Sequence, residues 1–383
     1  LLKMGTAGLV LPQACLVMAN GRQARFEKWR QAFEASVPAR MRAAKVVGAS
    51  VAITARDTAS HYAASFGFAN LRRHRRLTVD TPMHLASVSK LFTACALVQL
   101  FERRGDDLHA DVNDFIDVRI RNPHHPATPI TPHQLLTHTS SISDEGYGDV
   151  SFPGDPKQSL SDFLQGYLVK GGAAYSPDGS FLKTQPGAQW NYSNVGVALA
   201  GHIVEKSSGQ SFASYVEENL LRPLGMGNAH WYIGDFAPEV LAKPYRLQNG
   251  RFVELPQQGY PDVPAGMLRC SVSDLAKALR AMLGQATGAQ ALLSPGAVKQ
   301  MLRRQVDSRL HGYQGLGWTQ EATASHAVVG HTGSDNGASN MVALSQDQAQ
   351  AVALLMNVDG TKQTARFRAS VVDDLLAGAK LMA

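Results

Sequence analysis

Strand-like segments stand near the two ends of this 383-residue chain and not between them, and that placement limits the topologies open to it. "VVGASVAIT" (46–54) and "HYAASFGF" (61–68) lie near the beginning. "GLGWTQ" (315–320), "HAVVGHTG" (326–333), "SNMVALS" (339–345) and "AVALLMNV" (351–358) lie near the end, broken by turn residues. An amphipathic helix is expected over 22–46, with Phe26, Trp29, Phe33 and Val37 at helical spacing, and a closing helix over about 362–380. The pattern predicts an α+β fold: one antiparallel sheet built from both termini and flanked by helices, with a helical lobe inserted. The boundaries read as a sheet lobe of about 22–85 and 305–383 and a helical lobe of about 86–304, one domain over 20–383, with a cleft between the lobes as the natural site.

Within the middle, "TPHQLLTH" (131–138) and "SLSDFLQGYLV" (159–169) are short helical pieces, and 195–219 reads as one helix with Gly196 and Gly201 as weak points. Further helices are expected at 271–283, capped by Ser271 or Ser273, and at 294–304, with Pro295 near the first position. Hydrophobic residues at 44% and charged residues at 18% mark a globular chain. The net charge of +6 permits weak contact with anionic cell-envelope surfaces. Nucleic-acid binding is not expected, because the one dense basic run, Arg72 to Arg76, has no aromatic inside it and reads as a solvated turn. Cys15, Cys95 and Cys270 show neither a disulfide framework nor metal-ligand spacing, and no metal or cofactor is expected. Residues 1–19 read as an export leader cleaved after Ala19, similar to the tail of a twin-arginine signal without its arginine pair. A periplasmic or secreted location is expected, with a cytoplasmic one as the alternative.

"HLASVSKLFTACALVQLFE" (84–102) sets Lys90 three residues after Ser87 at the start of an apolar helix. That spacing puts both on one helical face. A poorly solvated amine beside a hydroxyl can take its proton, and the free N–H groups of a helix start can hold an oxyanion. Taken alone, such a pair is as readily a cap and a snorkelling lysine. A second match, Ser180 to Lys183, falls in a Pro- and Gly-rich stretch and fails geometrically. "WNYSN" (190–194) offers Tyr192, which can shuttle a proton if a nearby ammonium lowers its pKa, and Asn194, which can bind a substrate amide. In "VVGHTGSDNGASN" (328–340) the glycines let backbone approach closely, His331 and Thr332 are expected to enter the cleft, and the Ser334 N–H is a candidate oxyanion donor.

The boxes "SVSK" (87–90), "YSN" (192–194) and "HTG" (331–333) resemble those of the penicillin-recognising serine hydrolases, in the same order. That group includes class C beta-lactamases, serine D-alanyl-D-alanine carboxypeptidases, D-aminopeptidases and beta-lactamase-like esterases. "LLTHTS", "PGAQWNYSN", "LLRPLGMGN" and "PAGMLRCSVSDLAK" support it, over about residues 25–380. The resemblance implies a beta-lactamase-like fold, Ser87 as nucleophile, Lys90 and Tyr192 as proton-transfer groups, and Asn194, His331, Thr332, Gly333 and Ser334 as substrate-binding residues. The N–H groups of Ser87 and Ser334 would form the oxyanion hole. The implied substrate is a small molecule or short peptide with an amide or ester bond, foremost that of a D-alanyl-D-alanine carboxypeptidase or D-amino-acid peptidase. A carboxylesterase, a class C-like beta-lactamase and a penicillin-binding protein with little turnover are the alternatives.

Two residues depart from the pattern. His331 stands where many members have lysine, and Ser141 stands where glycine is common. The 142–185 segment is expected to shape the groove, with Phe152, Tyr147 and Tyr175 either packing the lobe or lining a wall. Arg269 is the candidate cation for a substrate carboxylate.

Overall fold

The computed structural model describes residues 13–56, 61–148, 150–284 and 292–382, and for 13–20 the backbone alone. Its framework is a helix α1 (Gln13–Ala44), strands β1 (Gly48–Ala55), β2 (His61–Asn70) and β3 (Arg75–Arg76), and helices α2 (Lys90–Arg104), α3 (Leu160–Leu168), α4 (Asn194–Ser208) and α5 (Val272–Met282). Strands β4 (Thr319–Ala322), β5 (Ala327–Asp335), β6 (Ala338–Leu344) and β7 (Gln350–Met356) follow, then α6 (Lys362–Met382). These seven strands form one antiparallel sheet in the order β4-β5-β6-β7-β1-β2-β3, so the two ends of the chain meet where β7 pairs with β1. Among the described residues three smaller sheets lie between the ends, including the hairpin of Tyr245–Gln248 with Arg251–Glu254, which corrects the expectation that strands stand only near the two ends. This is an α/β fold with a central antiparallel sheet flanked by helical regions.

Alternation along the strands explains how both faces are covered. Val51 and Ile53 of β1, Met341 and Ala343 of β6, and Leu354 and Met356 of β7 pack with Val37 of α1 and Phe367 and Leu375 of α6. Their neighbours Ala52, Val342, Leu344, Ala353 and Leu355 join the larger core with Leu275 of α5 and the buried face of α2. Every residue of β1, β6 and β7 is buried, which is why these segments are mostly apolar and lack a polar-out rhythm; the few polar side chains among them, such as Ser50 and Asn340, are hydrogen-bonded within the fold.

Several local expectations change on folding. The first helix begins at Gln13, earlier than the periodicity suggests, and the Ala19–Asn20 bond lies within it; residues 1–12 of the expected leader lie outside the described residues. The single helix expected over 195–219 is two, because Gly209 takes a left-handed conformation (φ 73°) that caps α4, and a new turn of helix starts at Phe212. Gly201 does not weaken α4: a Cβ there would collide with Pro264, so glycine lets the 263–265 turn lie directly against the helix. Ser141 is left-handed (φ 62°), which gives a physical reason for glycine being common there. Its hydroxyl is held by Asn122 Nδ2 at 2.9 Å, a bond glycine could not make. The basic run works as hairpin glue: Arg75 donates to the Leu241 carbonyl at 2.6 Å, and Arg76 lies over the Phe68 ring at 4.5 Å. Among the described residues no helix is long and apolar enough to cross a membrane, and no group of three or more His, Cys, Asp or Glu is arranged to hold a metal.

Candidate active site

The chain enters α2 through a tightly held turn. Met83–His84 pairs with Arg269–Cys270, and the Leu85 N–H donates to the Leu268 carbonyl at 2.9 Å. From β6, Asn340 Nδ2 donates to the carbonyls of His84 (2.8 Å) and Leu85 (3.1 Å). Ala86 is then forced left-handed (φ 49°), at a cost of about 1 kcal/mol for a residue with a Cβ. A 3₁₀ turn, Ala86–Ser89, follows and leaves Ser87 half-buried on its outer side. Ser89 faces inward at 0% exposure and accepts from the Leu268 N–H, so it is not a second nucleophile.

Lys90 is 1% exposed, yet its amine is fully partnered. Nζ donates to Ser87 Oγ at 3.1 Å, to Asn194 Oδ1 at 2.7 Å and to the Ala265 carbonyl at 2.7 Å, which accounts for all three N–H donors of an ammonium. Burial pushes the amine down to about 8, against the pull of Asp262, Asp144 and Asp335, which favour the cation. By contrast Lys183, from the second Ser-x-x-Lys match, has its side chain 78% exposed, and its Ser180 is buried.

Tyr192 and Asn194 are delivered by the start of α4. Ser193 caps that helix through Gly196 N–H (2.8 Å), and Asp144 binds the same end, accepting from Ser193 Oγ (2.8 Å) and the Asn194 N–H (2.6 Å). His138, itself left-handed, accepts the Ser193 N–H at Nδ1 (3.2 Å) and lays its ring 4.4 Å from that of Tyr192. The Lys90 amine sits 4.9 Å from the centroid of the Tyr192 ring. The phenol hydrogen-bonds with Ser87, but its pKa is raised, not lowered: burial is the largest cause, and the carboxylates of Asp144, Glu321 and Asp262 add to it. The expectation of an ammonium-lowered phenol is therefore corrected. Tyr192 is a neutral hydroxyl, able to donate or relay a proton.

The "HTG" box lies on β5, where β4 pairs only with residues 327–330 and leaves the outer edge of 331–335 without a strand. Side chains alternate there. His331 and Gly333 face the turn that carries Ser87; Thr332 is on the other face, where its hydroxyl donates to Glu321 Oε1 at 3.0 Å. The expectation that both His331 and Thr332 enter the cleft is corrected by this two-residue period. The Thr332 N–H also points off the free edge, to Glu321 Oε1 at 2.7 Å, and the period carries the Ser334 N–H to the same edge beside Ser87. His331 is 2% exposed and donates from Nδ1 to the Thr332 carbonyl at 2.6 Å, because a carbonyl can only accept. Burial, reinforced by Lys90, lowers its pKa to about 4, so it carries no charge at neutral pH.

A cavity of about 240 Å³ joins these parts, lined by Ser87 and Asn194, by Ser334, and by Tyr147, Asp262 and Asp335 among others. Tyr147 therefore lines the wall as well as packing the lobe. Arg269 does not reach it as a free cation: it is 0% exposed and donates to the carbonyls of Met267 (2.5 Å) and Gln258. A larger cavity of about 650 Å³, between β4, β5 and α6, holds none of the boxed residues. Asp144, His138 and Asp262 are the site residues that sequence reasoning missed. Only His138 carried a signal, inside the phrase "LLTHTS".

Comparison with known proteins agrees with this geometry. The family model described as Beta-lactamase matches residues 33–377. Esterase EstB of Burkholderia gladioli is 31% identical over 273 residues, covering 63% of this chain and 67% of the esterase. Penicillin-binding protein 4* of Bacillus subtilis is 30% identical over 179 residues, 46% of this chain, and the chain spans only 37% of that relative's length. The octameric penicillin-binding protein homologue of Pyrococcus abyssi superposes with a TM-score of 0.71 at 26% identity, over 91% of this chain and 77% of that one. A family match that takes in all three boxes, on a fold that gathers them around the turn carrying Ser87, shows that the chain belongs to the beta-lactamase family of penicillin-recognising serine hydrolases.

Proposed function

We propose that this protein hydrolyses amide or ester bonds by acyl transfer through Ser87. The observation that carries the reading is the Lys90 amine: buried, 3.1 Å from Ser87 Oγ and held near a pKa of 8. In its neutral form that amine accepts the hydroxyl proton while Oγ attacks the substrate carbonyl. The N–H groups of Ser87 and Ser334 receive the oxyanion. The Lys90 ammonium then returns the proton, relayed by the Tyr192 hydroxyl, to the departing amine or alkoxide. Water releases the acyl group by the same steps in reverse. Asn194 is held by Lys90 and by Asp144 and binds the acyl side.

The printed names of the relatives, an esterase and a penicillin-binding protein, support ester and peptide bonds as a class. Between them, support is stronger for esters and amides than for peptides ending in a free carboxylate. A carboxylate calls for a fixed cation, and the described residues lining the cavity include neither arginine nor lysine. Incubation with a penicillin or a p-nitrophenyl ester, followed by acid quench and peptide mapping, is expected to find the acyl adduct on the peptide holding Ser87. Undiminished labelling of a Ser87→Ala variant would overturn the assignment.

Export belongs to the same reading and rests on residues 1–19. Protein recovered from outside the cytoplasm is expected to begin at Asn20. Retention in the cytoplasm with those residues attached would refute it.

A further inference from the structure

The cavity beside Ser87 carries an acidic wall that acts on Lys90 through its charge but accepts none of the Lys90 hydrogen bonds. Asp262 and Asp335 both line it, with the hydroxyl-bearing rings of Tyr147 and Tyr260. Asp262 is 1% exposed; the Tyr147 phenol bonds its carboxylate, while its Oδ1 has no partner among the described residues. Asp335 accepts from the Asn336 N–H at 2.7 Å and bonds Tyr260, with His84 Nε2 4.0 Å from Oδ2. Arg269 lies behind this wall with donors turned to the carbonyls of Met267 and Gln258, and Lys90 turns its own to Ser87, Asn194 and Ala265. Neither donates to Asp262. A buried carboxylate oxygen without a donor is unfavourable until one arrives, and a substrate ammonium brings both charge and N–H groups.

We propose that Asp262, with Asp335 on the same cavity, forms a subsite for the protonated amine of the acyl group, so that the preferred substrates are amides or esters of unblocked amino acids. The proposal rests on acyl transfer at Ser87. An amine α to the scissile carbonyl lies two bonds from the carbon that Oγ attacks. A cavity this small, bordered by both Ser87 and Asp262, suits an acyl group of single amino-acid size.

The test compares kcat/KM for D-alanine p-nitroanilide with that for N-acetyl-D-alanine p-nitroanilide, which lacks the charge. The unblocked substrate is expected to be favoured on the order of 10- to 100-fold, the range for a hydrogen bond to a charged group. In Asp262→Asn that ratio is expected to fall toward one. Equal rates in the wild-type protein would overturn the subsite, and this comparison needs no variant to fold. A loss in Asp262→Asn that is proportionally the same for both anilides would also overturn it, assigning Asp262 to the electrostatics of Lys90 instead. p-Nitrophenyl butyrate, run alongside, separates the two readings. Its turnover with no discrimination between the anilides sinks the subsite alone; no turnover of any of the three sinks acyl transfer and the subsite together.

Discussion

Lys90→Met is expected to lower kcat on a p-nitrophenyl ester by about 10⁴-fold, as far as Ser87→Ala does, with no further loss in the double variant. The reason is that the hydroxyl and the amine act as one unit: each is inert in this role without the other, so their deletions do not add. Methionine approximates the stem of lysine but leaves Asn194 Oδ1 and the Ala265 carbonyl without the amine that now bonds both. Each lost partner costs about 1–3 kcal/mol, offset in part by removing a buried charge. The variant is therefore expected to fold, and thermal unfolding checks that it does. Retention of kcat within tenfold in the folded variant would move the base elsewhere, with Tyr192 next in reach. The wild-type pH profile tests the same amine. Only its neutral form accepts a proton, and burial has brought its pKa down to about 8. The rate should thus climb about tenfold per pH unit below that value and level above it. Asp262, raised by burial to about 6, adds only a minor inflection, and the raised phenol of Tyr192 adds none in this range. A flat profile between pH 6 and 9 would contradict the assignment.

What could be read in the sequence, and what could not, divides by the distance over which residues signal. Ser87 and Lys90 were legible because helical spacing puts them on one face at the start of an apolar run and the other two boxes follow in order. Tyr192 and Asn194 were legible because a cap-rich turn before an apolar run marks a helix mouth, and the sheet was legible from apolar segments at both ends. Asp144 and Asp262 were not. Asp144 acts on the start of α4, 50 residues on, and Asp262 meets Ser87 and Asn194 only across the cavity, and a lone aspartate in a loop has no pattern of its own. The break at Gly209 was not legible because Gly196, Gly201 and Gly209 look alike in sequence, whereas only Gly209 takes a positive φ. Thr332 was misplaced by reading a box as a point. On a strand, two consecutive residues cannot share a face, so the free edge and the side chains of the box serve different tasks. Ser141 shows the converse case, where a residue other than the family's common glycine stands in a left-handed conformation, its hydroxyl held by Asn122.

That division makes Gly333 the most informative position outside the three polar groups. Gly333→Ala is expected to lower kcat by about 10² to 10³-fold, with KM less affected, and to destabilise the fold by about 1–3 kcal/mol. A Cβ at 333 would overlap the Leu85 carbonyl and crowd Val88 at Cγ2 (3.2 Å) and N (3.3 Å). The turn cannot yield easily. The Leu85 carbonyl is held by Asn340 Nδ2 at 3.1 Å, and the next residue is the left-handed Ala86. The strand must move instead, and it carries the Ser334 N–H away from Ser87. A shifted donor weakens the oxyanion more than it weakens the bound substrate, which is why the loss should appear in kcat. Gly360→Ala supplies the comparison: its nearest neighbour, Ser334 Oγ, is 3.7 Å from the added Cβ, so stability is expected to stay within about 0.5 kcal/mol and kcat to hold. A folded Gly333→Ala protein with wild-type kcat would show that β5 is not the wall against which the transition state is held.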